Sequence, residues 1–316
     1  MWRSQATFGD VKVLNGMKVA GESIYPSDVG QISGSRYFLD SESGMDDDGK
    51  WGKSWEKPFK TMAYAMAVSH ADIGRGSDRW TRRNAIYCAG GPFVEDLGVL
   101  AQKTDIIGVG SYNLWAGACL EGNHVPATTT AAGCRFINMY FKAPATGGDI
   151  FTLNATVNPG ICFYGCRVNG YTATATAAFI VATAVDFMQV EECHIEGNFS
   201  DAVIEFGTGS GRGTRIVNNF ISGANEGIHA GAGFTSLYEM SQISGNRIVS
   251  TLAGINDASS KFYVFDNRIV TLAAPGTAGA GGIVCNQYLA SGNRITCSNT
   301  AFTYPLLGED TNGEAG

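Results

Sequence analysis

The sequence predicts an all-β protein, a single-stranded right-handed parallel β-helix of about eight to nine rungs, with an N-terminal capping helix and an extended N-terminal arm. Glycine makes up 42 of 316 residues, nearly double the usual frequency. A short motif recurs every 21 to 28 residues from residue 138 onward. Each repeat holds three short β-rich runs separated by turns, and these runs are too short for helices. Apolar residues at one position per run, repeated over many turns, predict a coil with a continuous apolar interior.

The motif is clearest in Gly245-Asn246-Arg247-Ile248, Asp266-Asn267-Arg268-Ile269 and Gly292-Asn293-Arg294-Ile295. Its anchor is an Asn or a Cys, and the anchors are Asn138, Cys166, Cys193, Asn219, Asn246, Asn267 and Asn293. We expect the anchor Asn to adopt the left-handed turn conformation, which Asn tolerates. Stacked amides also bond to each other in a ladder, and Cys166 and Cys193 serve as small inward substitutes. The anchor column is therefore interpreted as structural.

Three apolar columns keep the same register as the anchors. Three residues before the anchors lie Phe163, Val190, Ile216, Ile243, Val264 and Ala290. Two residues after them lie Tyr140, Val168, Ile195, Ile221, Ile248, Ile269 and Ile295. A third column contains Ile150, Phe179, Val203, Ile228, Ile255 and Ile283. These columns predict the interior of the coil.

The first third of the chain carries a second signal. Residues 36–67 include Arg36-Tyr37-Phe38-Leu39-Asp40, a Gly- and Asp-rich stretch, and Pro58-Phe59-Lys60-Thr61. This resembles the opening module of many pectin-lyase-like β-helix proteins. Pro58 suits a first helical turn, and the residues at helical spacing on one face are Phe59, Met62, Ala63, Met66 and Ala67. Such a helix closes the apolar end of a solenoid. The resemblance implies a fold but no activity, because this fold hosts lyases, hydrolases, adhesins and virion spikes.

Composition excludes several classes of protein. The net charge of −7 argues against a nucleic-acid-binding protein. No apolar run approaches the roughly 20 residues of a membrane span, and the first residues lack a signal-peptide hydrophobic stretch. We therefore expect assembly in a cytoplasm, with the eight cysteines as thiols rather than disulfides. No cofactor and no zinc site are expected, because the cysteines and the four histidines are scattered.

Carboxylates following the third apolar column are the candidate catalytic residues. Glu205, His229 and Asp257 fall on successive rungs, with Asp201 and Glu226 just upstream. A glycoside hydrolase needs two carboxylates about 5–9.5 Å apart, which adjacent rungs can supply. Solvated polar residues on an outer face are the alternative interpretation.

Two weaker patterns also concern ligands. Asp40, Asp46 and Asp48 offer oxygen ligands for calcium in the loop before the helix, although a solvated loop explains them equally simply. Arg247, Arg268 and Arg294 follow the anchors of the last three rungs and should form an outward arginine ladder. One interpretation of this ladder is a binding site for acidic glycan or for a partner's carboxylates. The alternative is that these arginines pair with Glu239 and Asp266 of the same chain.

The chain divides into an arm at 1–35, a strand, loop and capping helix at 36–84, the β-helix at 85–305, and an acidic tail at 306–316. An arm before a β-helix resembles the arrangement in tailed-phage virion proteins. The resemblance implies a non-enzymatic capsid decoration or head spike located on the virion, because so short a coil is small for a receptor-degrading tailspike. The expected partners are the major capsid protein or another virion protein, further copies in a trimer, and host-surface polysaccharide, with no nucleic acid and no membrane. The residues expected to attach the arm are Val11, Val13, Leu14, Met17 and Val19.

The rival interpretation is a polysaccharide lyase or glycoside hydrolase acting on an acidic polysaccharide, and a plain adhesin comes third.

Overall fold

The computed structural model describes most of the repetitive region and short segments before it. The described residues are 18–19, 22–23, 34–47, 49–74, 82–110, 118–126, 132–153, 160–171, 175–182, 185–208, 211–231, 241–258, 262–272, 281–285 and 290–297.

Short strands dominate these residues, and the one helix among them lies between the third and fourth strands. The elements are β1 (Lys18–Val19), β2 (Glu22–Ser23), β3 (Arg36–Asp40), α1 (Met62–Gly74), β4 (Asn84–Ala89), β5 (Phe93–Val94), β6 (Thr104–Gly108), β7 (Cys119–Glu121), β8 (Arg135–Ile137), β9 (Tyr140–Lys142), β10 (Phe151–Leu153), β11 (Cys162–Tyr164), β12 (Arg167–Gly170), β13 (Phe179–Val181), β14 (Gln189–Glu191), β15 (His194–Phe206), β16 (Arg215–Val217), β17 (Phe220–Ala230), β18 (Gln242–Ser244), β19 (Arg247–Asp257), β20 (Tyr263–Phe265), β21 (Arg268–Thr271), β22 (Gly281–Cys285), β23 (Ala290–Ser291) and β24 (Arg294–Cys297).

The strands stack into a parallel β-solenoid, as predicted. Sheet 1 contains ten strands in the order β3-β4-β6-β8-β11-β14-β16-β18-β20-β23. Sheet 2 follows the order β5-β7-β9-β12-β15-β17-β19-β21-β24. Outside the solenoid, β1 and β2 form an antiparallel pair. The consecutive strands of each sheet come from successive turns of the chain, so the stacking direction is the axis of the coil.

A third face completes the turns from β10 onward. It consists of β10, β13, the C-terminal halves of β15, β17 and β19, and β22. About six turns carry all three faces, slightly fewer than the eight to nine rungs predicted. The difference lies at the N-terminal end, where the third-face strands among the described residues begin at β10.

The interior changes in character along the axis. In the N-terminal turns it is aromatic: Phe136 and Phe163 stack with ring centroids 5.4 Å apart, and Phe151 and Phe179 with centroids 5.9 Å apart. In the C-terminal turns it is aliphatic, and the column of sheet 2 contains Ile195, Ile221, Ile248, Ile269 and Ile295. All of these except Ile295 are fully buried. The column places Phe141, not Tyr140, on the earliest of these rungs, because Phe141 pairs with Val168.

The corner between sheets 1 and 2 differs from the prediction by one residue. The left-handed conformation belongs to the residue before each anchor, with φ between 53° and 65° at Asn138, Gly165, Glu192, Asn218, Gly245, Asp266 and Gly292. The anchors themselves point inward. Asn138 therefore lies outside the anchor column, which holds Met139 on that turn, and its Nδ2 donates to Gly108 O at 2.9 Å. The physical reason is a division of roles between two residues. The residue before the anchor forms the outward turn with its backbone, and the anchor is then free to direct its side chain into interior hydrogen bonds.

Helix α1 covers the N-terminal end of the solenoid. It buries Met62, Ala65, Met66, Ser69 and Ile73, whereas Ala63 and Ala67, which we expected on the buried face, are exposed. Glu95 accepts hydrogen bonds from the backbone N–H of Met62 at 2.7 Å and of Ala63 at 2.8 Å. These bonds satisfy two of the unpaired N–H groups at a helix start. No helix of the described residues is long and apolar enough to cross a membrane.

Candidate functional site

The outer surface of sheet 2 carries a continuous column of side chains along the solenoid axis. In order, the column contains Tyr140, Arg167, His194, Phe220, Arg247, Arg268 and Arg294. A flanking column two residues further along each strand contains Lys142, Asn169, Glu196, Ser222, Val249, Val270 and Thr296. Neighbouring strands lie about 4.8 Å apart, so side chains on successive turns interact directly.

The N-terminal half of this surface is electrostatically compensated. Arg167 Nη2 lies 2.6 Å from Glu196 Oε1, and His194 Nε2 lies 3.2 Å from Glu196 Oε2. Burial raises the pKa of Glu196, but the hydrogen bonds from Arg167 and His194 outweigh it and hold that pKa below its ordinary value. Lys142 Nζ similarly lies 2.7 Å from Glu121 Oε2. Arg167 and Lys142 thus each have a carboxylate on the same face.

The C-terminal half lacks this compensation. Arg247, Arg268 and Arg294 are exposed and adjacent in register, and no carboxylate of a described residue forms an ion pair with them. Asp266, the expected partner, lies in the left-handed turn beside Gly292, where a Cβ would fall 2.3 Å from its Oδ1. Glu239, the other expected partner, lies outside the described residues. We call Arg247, Arg268 and Arg294 the arginine column.

An aromatic side chain ends the arginine column. The guanidinium carbon of Arg247 lies 5.5 Å from the ring centroid of Phe220, within the range of a cation–π contact. The ring of His194 packs against Phe220 from the turn below, with centroids 4.6 Å apart. The sequence analysis assigned no role to Phe220. The combination of a flat ring and three planar cations suits a ligand with carboxylates or sulfates, because guanidinium groups bind such anions in a bidentate manner.

The third face carries a separate cluster of acidic side chains. Glu205, His229 and Asn256 are neighbours in register on β15, β17 and β19. Glu226 is buried between Ala202 and Ala253 of the adjacent turns, whose small side chains leave room for it. We call Glu205, Glu226, His229 and Asn256 the third-face cluster.

One hydrogen bond and one close contact connect Glu226 with two other members of the third-face cluster. Glu226 Oε1 accepts a bond from Asn256 Nδ2 at 2.9 Å, and Glu226 Oε2 lies 3.3 Å from His229 Nδ1. The pairing of β17 with β19 shows register shifts just before Glu226, and such irregularities redirect side chains. Asn256 follows Ile255 directly, as His229 follows Ile228 on the paired strand, so the register places Asn256 rather than Asp257 beside His229.

Burial and like charge act on the acids of this face. The pKa of Glu205 is raised first by burial and then by the nearby carboxylate of Asp201, while His229 opposes the shift. Burial also raises the pKa of Asp149, two turns earlier, against the effect of a hydrogen bond from the Ala177 N–H. A raised pKa moves a carboxyl group toward the protonated form that a general acid requires.

Asp257 does not join this cluster. It lies in the next column, paired in register with Ala230 and Cys285, and is 1% exposed. Its Oδ2 accepts a hydrogen bond from the Phe262 N–H at 3.1 Å. The structure thus brings Glu205 and His229 together and places Asp257 in a structural role at a turn.

The proposed calcium ligands are occupied by local hydrogen bonds. Asp40 accepts bonds from the N–H of Glu42 at 2.9 Å and from Ser43 Oγ at 2.8 Å. Asp46 accepts bonds from the N–H of Lys60 at 2.9 Å and from Thr61 Oγ1 at 2.8 Å. Asp48 lies outside the described residues. Within the part of the chain that the structure describes, no group of three His, Cys, Asp or Glu side chains is arranged to hold a metal ion.

The described cysteines are buried free thiols, and they are Cys88, Cys119, Cys134, Cys162, Cys166 and Cys193. Burial raises the pKa of Cys119 and of Cys162 to about 12. Thiols that remain protonated are poor nucleophiles, so these residues act as core side chains.

Of the residues expected to attach the N-terminal arm, only Val19 is described, in the short pair of β1 with β2. Val11, Val13, Leu14 and Met17 lie outside the described residues, as does the acidic tail at 306–316. The attachment role of the arm stays a prediction.

Searches against protein-family models, curated proteins and solved structures found no match to this chain.

Proposed function

We propose that this protein is a non-enzymatic structural protein of a phage virion, a capsid decoration or head spike whose solenoid binds acidic polysaccharide on the host surface. The observation that carries the binding role is the arginine column, in which Arg247, Arg268 and Arg294 are exposed without a carboxylate partner among the described residues. Like charges about 4.8 Å apart repel one another. A ligand with regularly spaced anionic groups relieves that repulsion.

The contrast with the preceding turns strengthens the proposal. On the same surface, Arg167 is paired with Glu196 and Lys142 with Glu121. The solenoid therefore has positions from which a carboxylate neutralises a cation one turn away. In the C-terminal turns the flanking column contains Val249, Val270 and Thr296 instead. These side chains leave the guanidinium groups available to a ligand.

The binding role is tested with purified protein and immobilised polygalacturonate, alginate and polysialic acid. We expect binding to at least one polymer, and Arg268→Ala should weaken it by about tenfold, since a charge-assisted hydrogen bond contributes about 1.5–3 kcal/mol. Added salt should weaken it further. Arg215→Ala is the matched control, because Arg215 is equally exposed but lies on sheet 1 and contacts Glu191 at 3.2 Å. Equal affinities for the two variants would contradict the proposal.

The virion setting is tested separately by deleting residues 1–35. The arm is too short to bury a core of its own, and an isolated pair of short strands is marginal in water. We expect the deletion to leave the solenoid folded, with little change in melting temperature, while particle attachment and the trimer are lost. Full decoration of particles by the truncated protein would assign attachment to another part of the chain.

Polysaccharide cleavage is the second candidate function, and the raised pKa of Glu205 beside His229 favours it. Our proposal expects all three acidic polymers to remain uncut. Reproducible release of oligosaccharides by the wild-type protein, lost in Glu205→Gln and retained in Glu205→Asp at a reduced rate, would establish the enzymatic role instead.

A further inference from the structure

Phe187 has an unusual backbone conformation for a large side chain. Its φ is +58°, in the left-handed region that favours glycine. The equivalent residues of the neighbouring turns are glycines, namely Gly133, Gly160 and Gly213, with φ between 63° and 71°. A bulky residue in this conformation is strained, and such strain concentrates at functional sites.

Burial does not compensate Phe187 for this strain, because the side chain is 51% exposed. The ring extends over the next turn at Gly213, where a Cβ would lie 2.7 Å from Phe187 Cδ1. The Phe187 N–H donates to Arg212 O at 2.5 Å, which fixes the backbone below the ring. The ring is thus held in place and presented to solvent.

Charged side chains border the ring. The guanidinium carbon of Arg212 lies 6.0 Å from the ring centroid. Arg212 Nε donates to Asp186 Oδ2 at 2.9 Å, and the Arg212 N–H donates to Asp186 Oδ1 at 3.1 Å. Both side chains remain partly exposed, 45% for Arg212 and 25% for Asp186. A flat apolar surface therefore lies beside a hydrogen-bond donor and an acceptor.

We propose that Phe187, Arg212 and Asp186 form a carbohydrate subsite in which the pyranose ring of a neutral sugar stacks on Phe187. One face of a pyranose carries apolar C–H groups, and its rim carries hydroxyls that both donate and accept hydrogen bonds. One exposed ring matches a single sugar in size, whereas a stable protein interface buries about 800 Å² on each partner. This subsite lies at the turn before sheet 1 and is distinct from the arginine column on sheet 2.

The test is saturation-transfer difference NMR with the methyl glycosides of glucose, galactose, mannose and N-acetylglucosamine. At least one of them should show transfer to its ring C–H protons. Phe187→Gly should weaken its affinity by at least about tenfold, the effect expected for losing an aromatic contact and its buried area. Phe187→Tyr should retain binding. Leu272→Ala is the control, because Leu272 is also 51% exposed.

Thermal melting separates a binding role from a structural one. Phe187→Gly relieves the left-handed strain, so its melting temperature should equal or exceed that of the wild type. A melting temperature several degrees lower would make the ring a structural element and overturn the proposal. So would the absence of transfer to all four sugars, equal transfer in Phe187→Gly, or dissociation of an oligomer by that variant. Because the probes are neutral and the arginine column is unchanged, failure here leaves the acidic-polysaccharide proposal to its own test.

Discussion

The N-terminal turns around β8 to β14 and the C-terminal turns around β16 to β21 follow the same backbone path but fill the corner between sheets 1 and 2 differently. In the N-terminal turns, the Sγ atoms of Cys166 and Cys193 donate to Phe136 O and Phe163 O, each at 3.4 Å. In the C-terminal turns, the Nδ2 atoms of Asn246 and Asn267 donate to the equivalent carbonyls at 2.9 and 3.0 Å. Both side chains satisfy the same column of carbonyl groups.

Asparagine adds a second interaction that cysteine lacks. Asn246 Oδ1 accepts bonds from the backbone N–H of Asn219 at 2.9 Å and from Asn219 Nδ2 at 3.0 Å. Asn267 Oδ1 does the same for Asn246, at 3.0 and 2.9 Å. The Asn turns thus bond directly to the turns below through side chains as well as through strands. The comparison teaches that one corner geometry accepts a weak donor where aromatic rings fill the core, and an amide ladder where isoleucines fill it.

The largest effect should come from a charge placed in the isoleucine interior. Ile248 is fully buried, and Ile248→Asp leaves a carboxylate without a partner, at a cost of several kcal/mol. We expect loss of cooperative melting by circular dichroism. Arg247→Ala is the control, because the adjacent side chain is exposed and its loss should leave the melting temperature nearly unchanged. Two equally mild variants would show that the register is wrong.

The second largest effect should come from removing an anchor side chain, and it should differ between the Asn corner and the Cys corner. Asn246→Ala removes an acceptor and a donor from buried groups, so we expect about 2–4 kcal/mol of destabilisation in urea unfolding. Cys193→Ala removes only weak thiol hydrogen bonds and a small volume, and should cost about 1 kcal/mol. Equal losses for both variants would mean that the ladder contributes nothing beyond packing.

A smaller effect, in the opposite direction, is expected from extending the ladder by one turn. Cys193→Asn places an amide acceptor above the Cys166 N–H and a donor near Phe163 O, positions that the next Asn uses on its own turn. We predict a gain of about 1 kcal/mol in the free energy of unfolding. Cys193→Ser, which has a polar atom but a shorter reach, should show no gain. Destabilisation by Cys193→Asn alone would indicate that the aromatic turns are too tightly packed for an amide.

The smallest effect concerns pH and the third face. The folded state raises the pKa of Glu205 above its ordinary value, so the folded protein binds more protons than the unfolded chain in the pH range just above that value. Stability should therefore fall as pH rises through this range. Glu205→Gln should melt slightly higher than the wild type at neutral pH and at the same temperature near pH 4. Glu42→Gln, an exposed control, should follow the wild type, and identical profiles for all three proteins would contradict the shift.

Much of the interior could be predicted from the repeat. Ile248, Ile269 and Ile295 pair in register as their spacing from the anchors indicates, because the turns between them are short. The prediction for the third face was less accurate, because its column contains Phe151 and Ile204 instead of Ile150 and Val203. The long strand β15 has two register irregularities before Ile204, and each changes which side chain faces inward.

The candidate sites could also be predicted only in part from the sequence. The arginine column follows directly from the motif, since every Arg comes one residue after an anchor. Its unpaired state does not follow from the motif, because Asp266 lies close in sequence yet turns toward Gly292. Likewise, the neighbours of Glu205 and His229 depend on where the strands bend, and the strain at Phe187 depends on its position in a column of glycines.

The sequence by itself determined the parallel coil, its interior and the position of its arginines, because a repeated pattern of apolar residues can be buried only by stacking equivalent residues of successive turns. The tertiary structure alone decided which polar side chains meet between turns. The physical reason is that a shift of one residue at a bulge or a left-handed turn moves a side chain from one face of the strand to the other. Asp257 is buried on the third face, Asn256 lies beside His229, and Phe187 lies on the surface.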